Sequence, residues 1–464
     1  MPSPTSPTSI ATVDPSTGRT LKTFEALSPV ELQDRLARAA RAFTGYRGTS
    51  YADRAGWARS AADLLDGDVE ELAELMTTEM GKTVAAARLE VGKCAGGLRF
   101  YAAHAQEMLA DVPADAVAVK ASRALTRYQP LGVVLAVMPW NFPLWQAMRF
   151  AAPALMAGNV GLLKHASNVP QTALYLEDLF RRAGFPADVF QTLLVGSDQV
   201  ETILRDDRVA AATLTGSTPA GSAVASVAGE VLKPTVLELG GSDPFVVMPS
   251  ADLAEAARVA TVARCQNNGQ SCIAAKRFLV HTEVYDEFAA LFARELGALV
   301  VGDPRSPDTT LGPLATEQGR RDVDELVQDA VGRGARVLLG GSVPDGPGWF
   351  YPATLVEGVT KDMRMYAEEV FGPVAQLHRV ASLDEALDIA NDSVFGLGSN
   401  IWTQDEGEQE RFVEQVQAGM VFVNGMTTSY AELPFGGVKT SGYGRELSDL
   451  GIKAFCNAKT VWVA

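Results

Sequence analysis

The chain has 464 residues, too many for one hydrophobic core, so its length implies two or three domains. A hydrophobic content of 47% beside 21% charged residues is that of an ordinary soluble globular protein. A formal net charge of −16 argues against nucleic acid and anionic membrane as partners, yet leaves room for a small anion met by a few well-placed cations.

The opening segment MPSPTSPTSIATVDPSTGRT is polar and rich in Pro, Ser and Thr, and low complexity is confined to its first dozen residues. It lacks the basic start and apolar run of a signal peptide, and no apolar run in the chain is long enough to span a bilayer; the expected location is the cytoplasm. Cys94, Cys265, Cys272 and Cys456 form no CxxC pair, and His104, His165, His281 and His378 form no HxxxH pair, which argues against structural zinc.

Residues 115–131, DAVAVKASRALTRYQPL, alternate apolar and polar side chains, as does the C-terminal KAFCNAKTVWVA. Two accounts fit: an arm pairing with a neighbouring subunit, or two edge strands of the same chain. From residue 131 short apolar runs alternate with amphipathic stretches: LGVVLAVMP, FPLWQAMRFAAPALMAG, VGLLKHAS, QTALYLEDLFRRAG, FQTLLVG, VETILRD, AAATLTGS and VLELGG. A second series follows from PFVVMP through ADLAEAARVATVARC, GARVLLGG, GPVAQLHRV and LDEALDIAN to GMVFVNG. Buried parallel strands with crossover helices explain both, so the fold class is α/β with two open Rossmann-like domains, a cleft between them and a change near Gly240–Gly241.

In an open parallel sheet the ligand lies beyond the carboxyl ends of the strands, so the residues directly after each apolar run carry the information. After NVGLL stand Lys164 and Ser167; after AAATL stand Gly216, Ser217, Pro219 and Gly221. The second group suits a phosphate-binding helix start, although it lacks GxGxxG and a plain tight turn also fits. A cation and a hydroxyl at the first position suit the 2′-phosphate of NADP better than the bare ribose of NAD.

Three residues suit covalent chemistry. Cys272 in QNNGQSCIAAKR follows a small, polar loop that reads as the entry to a helix, where the thiol pKa would fall; an inert cysteine is the competing account. Glu238 in LELGGSDP ends an apolar strand, where desolvation would make it a general base; a glutamate turned to water is the alternative. Asn141 in PWNFP is held by prolines and aromatics as an oxyanion donor must be, unless it caps the next helix.

Taken together, PWNFP, LTGSTPAG, LELGGSDP, NNGQSCIAAKR, EEVFGPV and PFGGVKTSGYGRE, in this order, resemble the aldehyde dehydrogenase superfamily over essentially the whole chain. KHASNVPQTALYL and ELGGSDPFVVMPSADL are most similar to its short bacterial succinate-semialdehyde dehydrogenases, commonly NADP-linked. The resemblance implies Cys272 as nucleophile, Glu238 as general base, and Asn141 with the Cys272 backbone N–H as oxyanion hole. It places Lys164 and Ser167 at the adenosine ribose and its 2′-phosphate, and Gly216, Ser217 and Gly221 at the pyrophosphate turn. Glu369 would bind the nicotinamide ribose, with Phe371 near the ring and Trp140 lining the same channel.

For a substrate with a distal carboxylate, the resemblance points to Arg149 and the supporting Ser429. Gln266 departs from members with a second arginine there, and Ala274 from members able to form a regulatory disulfide. The implied reaction is oxidation of succinate semialdehyde to succinate with NADP, NAD being possible; another small aldehyde such as glutarate semialdehyde is the alternative. The implied organisation is a cofactor-binding domain over 1–114 and 132–239, a catalytic domain over 240–435, and a small β oligomerisation arm with the C-terminal segment over 115–131 and 436–464. The assembly implied is a homodimer or homotetramer.

Overall fold

A computed structural model of the chain describes residues 10–464; the low-complexity stretch before Ile10 lies outside the described residues. Val133–Met138, an aliphatic run buried on both faces, sits inside a six-stranded sheet. The spatial order is Gly442–Tyr443, Thr235–Glu238, Val209–Thr215, Val133–Met138, Val160–His165, Phe190–Thr192. All neighbours are parallel except Gly442–Tyr443, which returns from late in the chain to lie antiparallel to Thr235–Glu238.

The chain first runs outward from Val133–Met138 through Val160–His165 to Phe190–Thr192, then crosses back and continues on the other side with Val209–Thr215. That reversal opens a crevice beyond the carboxyl ends of Val133–Met138 and Val209–Thr215, the place where an open sheet takes a ligand. The helix Pro143–Ala157 follows the first of these strands, with proline in its first turn and Gly158 closing it at φ 97°. Four helices the sequence reading did not resolve, Pro29–Tyr46, Tyr51–Gly67, Val69–Met80 and Val84–Met108, bury their apolar faces in the same core. Ser28 and Ser50 start the first two with reciprocal capping boxes. Val84–Met108 lies against Pro143–Ala157.

The second sheet has seven strands in the order Arg336–Leu339, Thr354–Glu357, Val374–Val380, Ala275–His281, Asp243–Val247, Asn400–Trp402, Phe422–Val423. It is parallel but for the edge strand Arg336–Leu339. The parallel α/β architecture read from the apolar runs is present in both sheets.

Cys456–Val463 pairs antiparallel with Arg123–Pro130 along its whole length, and Val112–Pro113 completes a three-stranded sheet. Alternation predicted a strand from residue 115; it begins instead at Arg123. The reason is Asp115, whose Oδ1 accepts the backbone N–H groups of Val117 (3.0 Å) and Ala118 (3.1 Å) and winds the segment into turns. Among the described residues the outer edge of Cys456–Val463 has no partner strand, and no helix is long and apolar enough to cross a membrane.

Candidate active site

Two cavities, of about 200 Å³ and about 280 Å³, meet at Cys272 and Gln146. The loop bearing Cys272 does not enter a helix, contrary to the expectation from its small polar residues. Gln266–Gly269 makes one short turn in which Asn267 (φ 54°), Asn268 (φ 58°) and Gly269 (φ 75°) are all left-handed, and Ala275–His281 then runs as a strand. Asparagine tolerates that conformation, while a Cβ on Gly269 would collide with the Gly372 and Pro373 backbone. The residues after Cys272 enter the sheet because Ala275–His281 is paired on both sides, by Asp243–Val247 and by Val374–Val380.

Without a helix start, nothing of that kind lowers the thiol pKa. Burial pushes the Cys272 thiol up to about 12, with Arg149 the first charge to oppose it. The loop is pinned from beneath by the buried Lys276, whose Nζ donates to the carbonyls of Ser271 (2.9 Å) and Cys272 (2.8 Å) and lies 3.1 Å from Glu369.

Asn141 lies beyond the end of Val133–Met138 and is buried. Its Nδ2 donates to the Gln270 carbonyl at 3.1 Å, and its own carbonyl accepts from Asn267 Nδ2 at 2.6 Å. The following helix begins at Phe142 with no side-chain cap, so the capping account of Asn141 does not hold. One amide N–H is thereby left to donate into the cavity it lines together with Cys272.

Glu238 is not turned to water. It is buried, neither carboxylate oxygen has a hydrogen-bond partner, and burial followed by the nearby Glu446 raises its pKa well above the usual carboxylate range. Gly436, at φ 149°, leaves the room it needs, since a Cβ there would stand 2.5 Å from Glu238 Oε1.

Arg149 and Ser429 both line the smaller cavity. Arg149 is already engaged: its Nε lies 2.7 Å from Glu446 Oε2, and its guanidinium is 4.2 Å from the centre of the Phe435 ring. Ser429 Oγ accepts from Lys93 Nζ (2.7 Å) and Trp145 Nε1 (3.0 Å). Sequence reasoning singled out none of Glu446, Lys93 or Lys276. Glu446 ends the quoted PFGGVKTSGYGRE, but only the antiparallel return at Gly442–Tyr443 brings it to Arg149. The one signal for Lys93 was a lysine set among small residues on a helix.

The larger cavity is the crevice of the first sheet, lined by Trp140, Gly216, Ser217, Glu369 and Phe371, with Trp140 and Phe371 edge to face at 5.8 Å. The residues after Val209–Thr215 form a helix start, not a plain turn. Ser217 is the N-cap of Thr218–Glu230; its Oγ accepts from Ala220 N–H at 3.4 Å, which leaves the hydroxyl hydrogen and free backbone N–H groups for an anion. Gly221 does not line the crevice: a Cβ there would approach Leu239 Cδ2 to 2.5 Å, so this glycine serves helix–strand packing.

Lys164 and Ser167 do not line the crevice but lie at the end of the adjacent strand Val160–His165. Lys164 is buried and forms no ion pair among the described residues; burial lowers its pKa and Asp198 opposes the shift. An unpaired ammonium there fits a phosphate, and together with the Ser217 helix start it makes the crevice suited to a phosphorylated dinucleotide. His165, held by the Pro143 carbonyl at 2.8 Å and lowered by burial to about 4, is neutral and structural. Glu369, which lines the larger cavity, accepts the Gly241 N–H at 3.1 Å and lies 3.1 Å from Lys276 Nζ.

The model of the aldehyde dehydrogenase family matches residues 2–461 of this chain. The succinate-semialdehyde dehydrogenase [NADP(+)] of Mycobacterium avium (strain 104) is 64% identical, over 98% of this chain and 96% of that protein. Succinate-semialdehyde dehydrogenase [NADP(+)] 1 of Mycobacterium tuberculosis (strain ATCC 25618 / H37Rv) is 63% identical, over 98% of this chain and 100% of that protein. Among solved structures, the succinic semialdehyde dehydrogenase of Streptococcus pyogenes in complex with NADP+ superposes with a TM-score of 0.95 at 38% identity, covering 98% of this chain and 99% of that one.

Proposed function

The chain belongs to the aldehyde dehydrogenase family, and we propose that it oxidises succinate semialdehyde to succinate with NADP, using Cys272 as the covalent nucleophile. The observation that carries this reading is the position of Cys272 where a cation-lined cavity meets a dinucleotide-type crevice. An aldehyde bound in the first would present its carbonyl carbon to the thiol, with its distal carboxylate toward Arg149 and Ser429.

Cys272 Sγ adds to that carbon, and the carbonyl oxygen becomes an oxyanion. The free N–H of the Asn141 amide and the Cys272 backbone N–H are the donors for it. Lys164, Ser167, Gly216, Ser217, Glu369, Trp140 and Phe371 would hold NADP, which would supply the acceptor for the hydrogen that leaves as hydride. The acyl group is then a thioester on Cys272. Glu238 takes a proton from water, the hydroxide attacks the thioester carbon, and the C–S bond breaks to release succinate and the Cys272 thiolate. Burial pushes the Cys272 thiol up to about 12 and raises the Glu238 carboxyl, and both must ionise to act, so turnover should rise with pH.

Steady-state rates for a panel of aldehydes, each with NADP and with NAD, test the reading. Succinate semialdehyde with NADP should show the highest kcat/KM; equal values for acetaldehyde would remove the anionic-substrate assignment. We also propose the division into a cofactor domain (1–114 and 132–239), a catalytic domain (240–435) and an arm (115–131 and 436–464). The unpaired edge of Cys456–Val463 supports the arm's pairing with a second copy, in a dimer or tetramer of a cytoplasmic enzyme. Mass measurement in solution checks the assembly, and a monomer would refute it.

A further inference from the structure

Two cations line the smaller cavity, and they differ in what already neutralises them. Arg149 Nε lies 2.7 Å from Oε2 of the buried Glu446, whose pKa burial raises, so one side of the guanidinium already faces a protein carboxyl. Lys93, on the helix Val84–Met108, forms no ion pair among the described residues. The nearest carboxylate on its helix, Glu90, is taken by Lys82 and by the backbone N–H groups of Leu144 (2.9 Å) and Trp145 (2.8 Å). The Lys93 ammonium instead lies 4.7 Å from the centre of the Trp145 ring and donates to Ser429 Oγ.

Ser429 Oγ receives hydrogens from both Lys93 and Trp145, so its own hydrogen has to point elsewhere. The pair therefore presents two spare N–H donors of an ammonium and one O–H donor from a single locus. Gln266 lines the same cavity with a buried Nε2 that has no hydrogen-bond partner among the described residues. Phe142, Ile273 and Phe435 supply an apolar wall, against which a carboxylate would be attracted strongly to the Lys93 ammonium, which has no ion pair among the described residues.

We infer that Lys93, with Ser429, is a further partner of the substrate's distal carboxylate beside Arg149. The inference rests on the proposed reading of the substrate as an anionic aldehyde. It also carries a pH signature. Burial and then the positive charge of Arg149, on the neighbouring helix Pro143–Ala157, bring the Lys93 ammonium down to about 8, against Cys94 and Glu90 on its own helix. Free enzyme above that pH presents a neutral amine to the carboxylate, so kcat/KM for the anionic substrate should fall there relative to that for an uncharged aldehyde, whose rate shares the pH dependence of Cys272.

The experiment compares wild type, Lys93→Met and Lys93→Arg on succinate semialdehyde and on butyraldehyde, an uncharged aldehyde of the same carbon count, across pH. In Lys93→Met the ratio of kcat/KM for succinate semialdehyde to that for butyraldehyde should drop roughly 10- to 100-fold, the loss expected of a charge-assisted hydrogen bond, and the loss should appear in KM. Lys93→Arg should restore most of the ratio and remove the alkaline fall, because guanidinium stays charged. If wild type prefers succinate semialdehyde and Lys93→Met keeps that preference, Lys93 is not such a partner while the proposed function stands. If wild type shows no preference between the two aldehydes, the proposed function itself fails, and this inference with it.

Discussion

Arg149 Nε stands 2.7 Å from Glu446 Oε2 with both side chains buried, and Glu446 in turn raises the pKa of Glu238. The three residues therefore form one electrostatic unit behind the nucleophile. Removing the guanidinium leaves the buried Glu446, whose pKa burial already raises, without that partner, and breaking such a pair costs up to roughly 3–5 kcal/mol, less where the carboxyl takes up a proton. Arg149→Met should unfold at lower denaturant concentration by up to that amount, and Arg149→Met with Glu446→Gln should recover part of it. Chemical denaturation of the two variants measures this; equal stability of Arg149→Met and wild type would show that the pair contributes little.

A thiol held near pKa 12 by burial is a poor nucleophile at rest. Alkylation of Cys272 by iodoacetamide, followed by mass spectrometry without added substrate or cofactor, should be slow at pH 7. It should keep rising, roughly tenfold per pH unit, to pH 10, because the thiolate fraction grows tenfold per unit below the pKa. A plateau near pH 8.5 would mean that the thiol titrates like a free cysteine.

Cys272→Ala should abolish dehydrogenation, since no thioester can form; rapid multiple turnover by this variant would exclude the covalent scheme. Glu238→Gln keeps the shape of the side chain but cannot accept a proton. Steady-state turnover should fall roughly 10²- to 10⁴-fold, the range of general-base catalysis, while the first turnover of NADPH formation falls much less. Stopped-flow absorbance separates the burst from the slow phase, and equal slowing of both would move Glu238 out of the hydrolytic step.

Lys164 is a buried ammonium with no ion pair among the described residues, and its proposed partner is the 2′-phosphate. Lys164→Ala should lower kcat/KM for NADP by roughly 10- to 100-fold, the worth of a hydrogen bond to a charged group, and change NAD much less. Fluorescence titration with each dinucleotide provides the check without turnover. Equal losses for NADP and NAD would place Lys164 at the shared part of the two cofactors.

Local sequence was sufficient wherever a feature depends on near neighbours in the chain. The apolar runs of Val133–Met138 and Val160–His165 announced parallel strands because both faces are buried. The helix start at Ser217 and Pro219 was legible because a cap needs only a hydroxyl and a proline in the first turn. It misled where local composition competes with tertiary packing. The loop at Cys272 reads as a helix entry, yet the sheet claims the residues after it; residues 115–122 alternate like a strand, yet Asp115 turns them.

What sequence determined by itself was the α/β class and the roster of chemically able residues: Cys272, Glu238, Asn141, Lys164, Ser217 and Arg149. Tertiary structure alone decided how they are charged and partnered. Whether Arg149 is free to meet a substrate depends on Glu446, delivered by a strand that returns to the first sheet from late in the chain. Whether Lys93 is free depends on Lys82 and two backbone N–H groups occupying Glu90. Electrostatic state is a sum over neighbours in space, and Arg149 and Glu446 are far from one another along the chain, as are Glu90 and the Leu144 and Trp145 N–H groups.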